Sequence, residues 1–178
     1  MQIKIIKTGD TRPWTEHKAR NIGVRNSRGE YLLMIDVDYI LPKETIEKAL
    51  RFTGQRMAIK RRFAVLDKNA DVMDDPATLA KWGLKDRWIR KGEVGGHRSQ
   101  FLMRKDLFWG MGGYNERLDG KWRRTGGAGE KFWRKWQRLE KRGKVRMDND
   151  KLNMFMFPTG KFCDSERNVF CGLNQCEN

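Results

Sequence analysis

Hydrophobic positions change period along this chain, and the changes mark its elements. Ile3, Ile5 and Ile6 open it as a short extended run, and Gly9 to Pro13 reads as a turn. Ala19, Ile22, Gly23 and Asn26 then recur at helical spacing, which predicts a helix over 14–26 with a small-residue face, closed by Arg28-Gly29. Tyr31 to Val37 is a near-continuous apolar run, the pattern of a strand buried on both faces. Pro42 precedes a second helical pattern at Ile46, Ala49 and Leu50. Met57, Ile59, Phe63 and Val65 share one parity, which predicts a strand broken on that face by Arg61. Strand, helix, strand, helix, strand within 66 residues predicts an α/β fold.

The second half is punctuated by glycine. Residues 67–78 read as a loop, with Asp75-Pro76 as a helix start, and Gly92, Gly95 and Gly96 mark a flexible stretch. Gln100 to Arg104 is a short strand candidate, followed by a turn at Gly110, Gly112 and Gly113 and a loop from Gly120 to Gly129. A helix is expected from Glu130 to Arg142, with Phe132, Trp136 and Leu139 as its apolar stripe and Gly143 as its stop. Met154 to Phe157 suits a last strand, and the tail from Lys161 carries no clear pattern.

Composition narrows the class. The 178 residues are 38% hydrophobic and 11% aromatic, which excludes collagen-like, low-complexity and disordered chains. No apolar run is long enough to span a bilayer, and no signal-peptide pattern is present. Cys163, Cys171 and Cys176 fit no common zinc spacing, so the expectation is reduced thiols and a cytoplasmic protein. The net charge of +15 favours anionic partners. Between Lys121 and Arg146, eleven Lys or Arg face only Glu130 and Glu140, a balance that the solvated face of a helix explains.

Asp36-Val37-Asp38 carries the clearest chemistry. It ends an apolar strand, and α/β sheets bind ligands at the carboxyl ends of their strands. Residues i and i+2 of an extended segment point the same way, so both carboxylates can reach one Mn²⁺ or Mg²⁺. With 13 Asp in the chain, about one such pair arises by chance, and Asp148-Asn149-Asp150 is read as that background.

Further blocks give the motif a context. Ala19-Arg20-Asn21-Ile22-Gly23, then Arg28-Gly29-Glu30-Tyr31-Leu32-Leu33, then Asp36-Val37-Asp38 resemble glycosyltransferases of the GT-A fold, family 2 type. Phe101 to Phe108 followed by Gly112-Gly113-Tyr114-Asn115-Glu116 looks like that family's acceptor-side segment, and Gly127-Ala128-Gly129-Glu130 like its segment before an aromatic helix. The resemblance implies a Rossmann-like GT-A sheet with helices on both faces. It places 1–66 on the nucleotide-sugar and metal side and 92–143 on the acceptor side of one domain, with 161–178 as a tail.

It also implies roles. Asp36, Arg20 and Asn21 would border the nucleotide-sugar, and Asp38, with Asp36, would hold the metal. Gly113, Tyr114, Asn115 and Glu116 would line the acceptor and sugar pocket, with Trp109 as a wall. Glu130 would act as the carboxylate near the reacting centre. Many inverting relatives have an Asp after this Glu, whereas Lys131 stands here, so stereochemistry is left open. The family usually has a further β-α-β portion before the Ala-Arg-Asn helix. Its absence here implies an N-terminally shortened sheet with an edge that a partner chain could cover. His97 reads as a loop residue, and no later His is available as a metal ligand. Two other readings stay open: a basic nucleic-acid-binding protein, and a non-catalytic glycosyltransferase relative.

Overall fold

The computed structural model describes residues 4–12, 15–36, 39–95, 98–119, 127–158 and 162–163. It is a mixed α/β structure that resolves into two compact units. The first comprises residues 1–35, 52–58 and 97–150, and the second 36–51, 59–96 and 151–178.

In the first unit, helix α1 (Glu16–Asn26) leads to strand β1 (Tyr31–Met34). Strand β6 (Phe101–Arg104) pairs antiparallel with β1, Leu32 opposite Met103. On its other side β6 pairs antiparallel with Arg56–Ala58, Met57 opposite Leu102. All of Phe101, Leu102 and Met103 are buried because β6 is the central strand of this trio. Helix α5 (Lys105–Gly110) follows, then a turn of 3₁₀ helix at Glu116–Leu118, then the long helix α6 (Gly127–Lys141). The core gathers Val24, Leu32, Phe101, Met103, Phe108, Met111, Tyr114, Phe132, Trp136 and Val145. Phe101 stacks on Phe132, with ring centroids 5.6 Å apart. The α6 stripe is as expected: Phe132 and Trp136 are buried, Leu139 packs against the cluster, and Gly143 takes a positive φ at the helix end.

The second unit holds the rest. Strand β2 (Tyr39–Ile40) pairs antiparallel with the end of β7 (Met147–Met156), and helix α2 (Lys43–Leu50) follows β2. The remainder of β3 (Arg56–Phe63) runs into the small hairpin of β4 (Val65–Leu66) and β5 (Val72–Met73). Helices α3 (Pro76–Lys81) and α4 (Asp86–Lys91) complete it. Asp75 caps α3, its carboxylate accepting from the Thr78 amide at 2.9 Å, as Asp75-Pro76 predicts. Phe63, Leu79, Leu84 and Met156 form this unit's core, with Trp88 and Phe162 against it.

Several expectations are corrected. Residues 4–12 form no strand, and Ile5 is 89% exposed. β1 stops at Met34 and buries only Leu32, because it pairs on one side alone among the described residues. The inward face of α1 is His17, Asn21 and Val24, whereas Ala19, Gly23 and Asn26 are exposed. The polar pair turns inward because partners wait there, as described below. On α2 the buried residue is Thr45, whose hydroxyl donates to the Asn153 carbonyl, and Ile46 and Leu50 face outward. The 67–78 stretch contains β5 and the start of α3, and α4 and α5 are helices that glycine-rich surroundings concealed. The last strand, β7, is longer than the expected 154–157 and includes Asp148 to Asp150.

Candidate functional site

The site in the first unit is built from α1, the Gly112–Leu118 turn and the start of α6. Together they line a cleft of about 510 Å³. Such a volume suits a small organic ligand or a few sugar rings.

Asn21 is the joint. It is 2% exposed. Its Nδ2 donates to the Tyr114 carbonyl at 2.9 Å and to Glu116 Oε1 at 2.8 Å. Its Oδ1 accepts from the Tyr114 amide at 3.0 Å. A helix residue therefore supplies both halves of a backbone pairing that the turn at Gly112-Gly113 cannot make for itself. The turn needs its glycines. Gly113 has φ +60°, and a Cβ there would lie 2.8 Å from Trp109 Cζ3 and 2.9 Å from Asn21 Oδ1.

A second tie anchors the start of α1. No side chain of its own caps this helix. Asp119, more than a hundred residues away, takes that role. Its Oδ1 accepts from the His17 amide at 3.0 Å and its Oδ2 from the Lys18 amide at 2.9 Å. Asp119 Oδ1 also meets His17 Nδ1 at 2.8 Å, and His17 Nε2 is buried without a hydrogen-bond partner among the described residues. The His17 ring stands edge-on to Tyr114 at 6.2 Å.

Trp109 is a half-buried wall of the cleft with the Arg25 guanidinium 5.3 Å from its ring centre, and Arg25 also pairs with Glu116 at 3.1 Å. The Tyr114 ring is in the core against Phe108 and Phe132, so the cleft is bordered mainly by that residue's backbone. Burial pushes the Tyr114 hydroxyl up to about 12, so it stays protonated at neutral pH. Asn115 caps the 3₁₀ turn, accepting from the Arg117 amide at 3.1 Å.

Arg20 and Glu130 gather elsewhere in the same unit, around Arg98 and Ser99. Arg20 Nη1 donates to the Ser99 carbonyl at 3.0 Å, and its Nε pairs with Glu16 at 2.9 Å. Gly129 brings α6 so close that a Cβ would meet the Ser99 amide nitrogen at 2.5 Å. Glu130, one residue on, is held by two guanidinium groups. Arg134 Nε donates to its Oε1 at 2.7 Å, and Arg98 Nη1 donates to its Oε2. First Arg134 and then Arg98 lowers its pKa, so it is a firm anion at neutral pH and a weaker proton acceptor than a free carboxylate.

Asp36 belongs to the second unit and is half-buried, two residues past β1. Asp38, His97, Trp122, Cys171 and Cys176 lie outside the described residues. Cys163 is buried. Among the described residues no group of three His, Cys, Asp or Glu could hold a metal ion. The described donors thus include one half of the Asp36/Asp38 pair and nothing that completes a site.

The structure brings Asn21, Trp109, Gly113, Tyr114, Asn115 and Glu116 into one cleft, and it adds residues that sequence reasoning passed over. His17 and Arg25 flank Asn21 at intervals of four on α1, and Arg117, Lys131 and Lys135 are the other polar additions. The spacing 17, 21, 25 is the signal that could have found the first two, since residues four apart share a helix face.

A mixed α/β structure with these elements fits a GT-A Rossmann-like fold. The model of glycosyl transferase family 2 matches residues 3–112, and the chain belongs to that family. No curated protein and no solved structure matches it. No helix among the described residues is long and apolar enough to cross a membrane.

Proposed function

We propose that this glycosyltransferase moves a sugar from a nucleotide-diphosphate donor to an acceptor hydroxyl, with a divalent cation at Asp36 and Asp38. The observation that carries the reading is the reciprocal hydrogen bonding of Asn21, inside the family match, with Tyr114, 93 residues on and just beyond that match, which joins the two segments into one cleft. Trp109, Gly113, Asn115 and Glu116 border the acceptor there. Arg20 and Asp36 serve the donor side. Mn²⁺ or Mg²⁺ would offset charge developing on the leaving diphosphate. The support for the metal is the D-x-D sequence at a strand end.

Glu130 is the carboxylate assigned to the acceptor proton. Its paired state keeps it ionised. To accept a proton it must release one oxygen, and the Arg98 contact is the one outside its own helix.

The test is thermal unfolding with UDP, GDP, CDP and dTDP, each with and without Mn²⁺. A ligand that binds only the folded state raises Tm. A shift requiring one nucleotide and the metal together, lost in Asp38→Asn with the fold intact, is the expected result. Nucleotide binding that ignores both Mn²⁺ and Asp38→Asn would remove the metal from the proposal. Glu130→Gln is expected to keep the nucleotide shift and to lose transfer.

A further inference from the structure

We infer that the acceptor is an acidic glycan, one bearing carboxylate or phosphate groups, read by the cations of the cleft and of the α6 face that continues from it. The inference rests on the transferase reading and adds the chemical class of the acceptor.

Among the described residues the cleft is lined by Arg25, Arg117, Lys131 and Lys135 against a single carboxylate, Glu116. That carboxylate is already engaged by Asn21 and Arg25. Lys135 is tethered, its Nζ donating to the Met111 carbonyl at the cleft wall. Arg117 and Lys131 are exposed and have no side-chain partner among the described residues. A neutral acceptor would leave this excess charge uncompensated, whereas an anionic one converts it into charge-assisted hydrogen bonds.

The charge does not stop at the rim. Lys131, Lys135 and Arg138, with Arg142 just past the helix end, are spaced by four, three and four residues, so they form one stripe along α6. At 1.5 Å per residue the stripe spans about 16 Å, the length of several sugar units. The two acidic residues of this helix do not cancel it. Glu130 is held by Arg98 and Arg134, and Glu140 Oε1 accepts from the Met147 amide at 2.8 Å.

Two other polyanionic surfaces fit less well. A membrane surface calls for apolar side chains beside the cations. Among the described residues the exposed positions of α6 are Lys131, Arg134, Lys135, Gln137, Arg138 and Lys141, and the large exposed hydrophobics (Ile5, Ile46, Leu50 and Val72) lie elsewhere in the sequence. Single-stranded nucleic acid calls for open aromatic faces on which bases stack. Trp133 and Trp136 are instead turned toward Arg56, 4.9 and 5.1 Å from its guanidinium, and Trp109 carries Arg25.

The experiment uses the full chain and matched probes. Binding of oligogalacturonate is compared with its methyl ester, and dextran phosphate with dextran, across a salt series. At least one charged probe is expected to bind roughly tenfold or more tightly than its neutral twin, with affinity falling as salt rises. Arg117→Gln/Lys131→Gln, checked by Tm, should lose most of that preference, and Arg117→Glu/Lys131→Glu should abolish it. Equal binding of charged and neutral probes in both pairs overturns the inference. So does tighter binding to a single-stranded oligonucleotide, or to phosphatidylglycerol vesicles, than to either acidic glycan. Hydrolysis of UDP-, GDP-, CDP- or dTDP-sugars with Mn²⁺, in which water takes the sugar and the nucleoside diphosphate is released, reports on the transferase reading separately. If release fails while the charge preference holds, the cleft remains an acidic-glycan site and the donor chemistry is what falls.

Discussion

Asn21→Ala tests whether the cleft is held as described. The side chain makes three hydrogen bonds, two of them to the backbone of Tyr114. Removing it strands one buried N–H and one buried C=O, each costing about 1–3 kcal/mol when left unpaired. Asn21 lines the cleft, so the space that its side chain vacates would open to solvent; the lower part of that range then applies and the total is about 3 kcal/mol. For a chain of this size each kcal/mol moves Tm by about 2–4 °C, which gives a drop of about 6–12 °C. Asn26→Ala is the matched control. Asn26 lies on the same helix but is exposed; its Nδ2 donates to the Ile22 carbonyl one turn back and its Oδ1 accepts from Lys4 Nζ at 3.3 Å, both at the surface. Its loss should fall within about 0.5 kcal/mol. Asn21→Asp sharpens the test. It keeps the shape, removes both N–H donors and sets a carboxylate beside Glu116. It should be worse than Ala at pH 7 and recover in part as pH falls toward about 4. Urea unfolding with a common m-value reads all three. If Asn21→Ala costs less than about 1 kcal/mol, the helix-to-turn joint is not what positions the cleft.

Gly113→Ala should cost about 2 kcal/mol or more in urea unfolding, because it adds a methyl at φ +60° against Trp109 and Asn21; full stability would show that the turn relaxes freely. Arg56 is 2% exposed among Phe101, Trp133, Trp136 and Phe132, its Nε and Nη1 lack acceptors among the described residues, and burial pushes its pKa down to about 10. Arg56→Met should therefore be neutral or stabilising, and a loss above about 2 kcal/mol would mean that the ring contacts outweigh desolvation. The pKa of Glu130 is lowered by its arginines, so its contribution to stability is complete above about pH 4.5 and disappears as pH falls through its folded value. Glu130→Gln should accordingly flatten the acid limb of the stability curve at low salt, and an unchanged limb would show that the pair adds nothing.

The parts of the fold legible in the sequence are those where one face is apolar and continuous. The α6 stripe, the parity of Met57, Ile59 and Phe63, and the buried run of β6 all follow from side-chain period alone. The misreadings share a cause. On α1 two of the three buried positions, His17 and Asn21, are polar, and a search for hydrophobic period selects the opposite face. Arg56 enters the core as a cation surrounded by rings, which no binary pattern of apolar and polar residues anticipates. Helices α4 and α5 have six residues each, too few for a period to emerge.

The same physics explains which site residues could be read. Gly113, Tyr114, Asn115 and Glu116 are contiguous, so a short motif names them together, and the cleft does contain all four. Asn21 is visible only as one letter of another motif, and its contacts come from pairing across 93 residues. Asp119 is less visible still. Nothing in its neighbourhood marks it as the cap of a helix that begins at Glu16, yet it satisfies the amides of His17 and Lys18. A helix whose first turn is capped from the far side of the cleft cannot move independently of the turn that carries the cap. Asn21 then fixes the same two pieces a turn further along. Two ties at different heights on one helix constrain rotation as well as distance, which is what a cleft that must present Trp109 and Glu116 to a single acceptor requires.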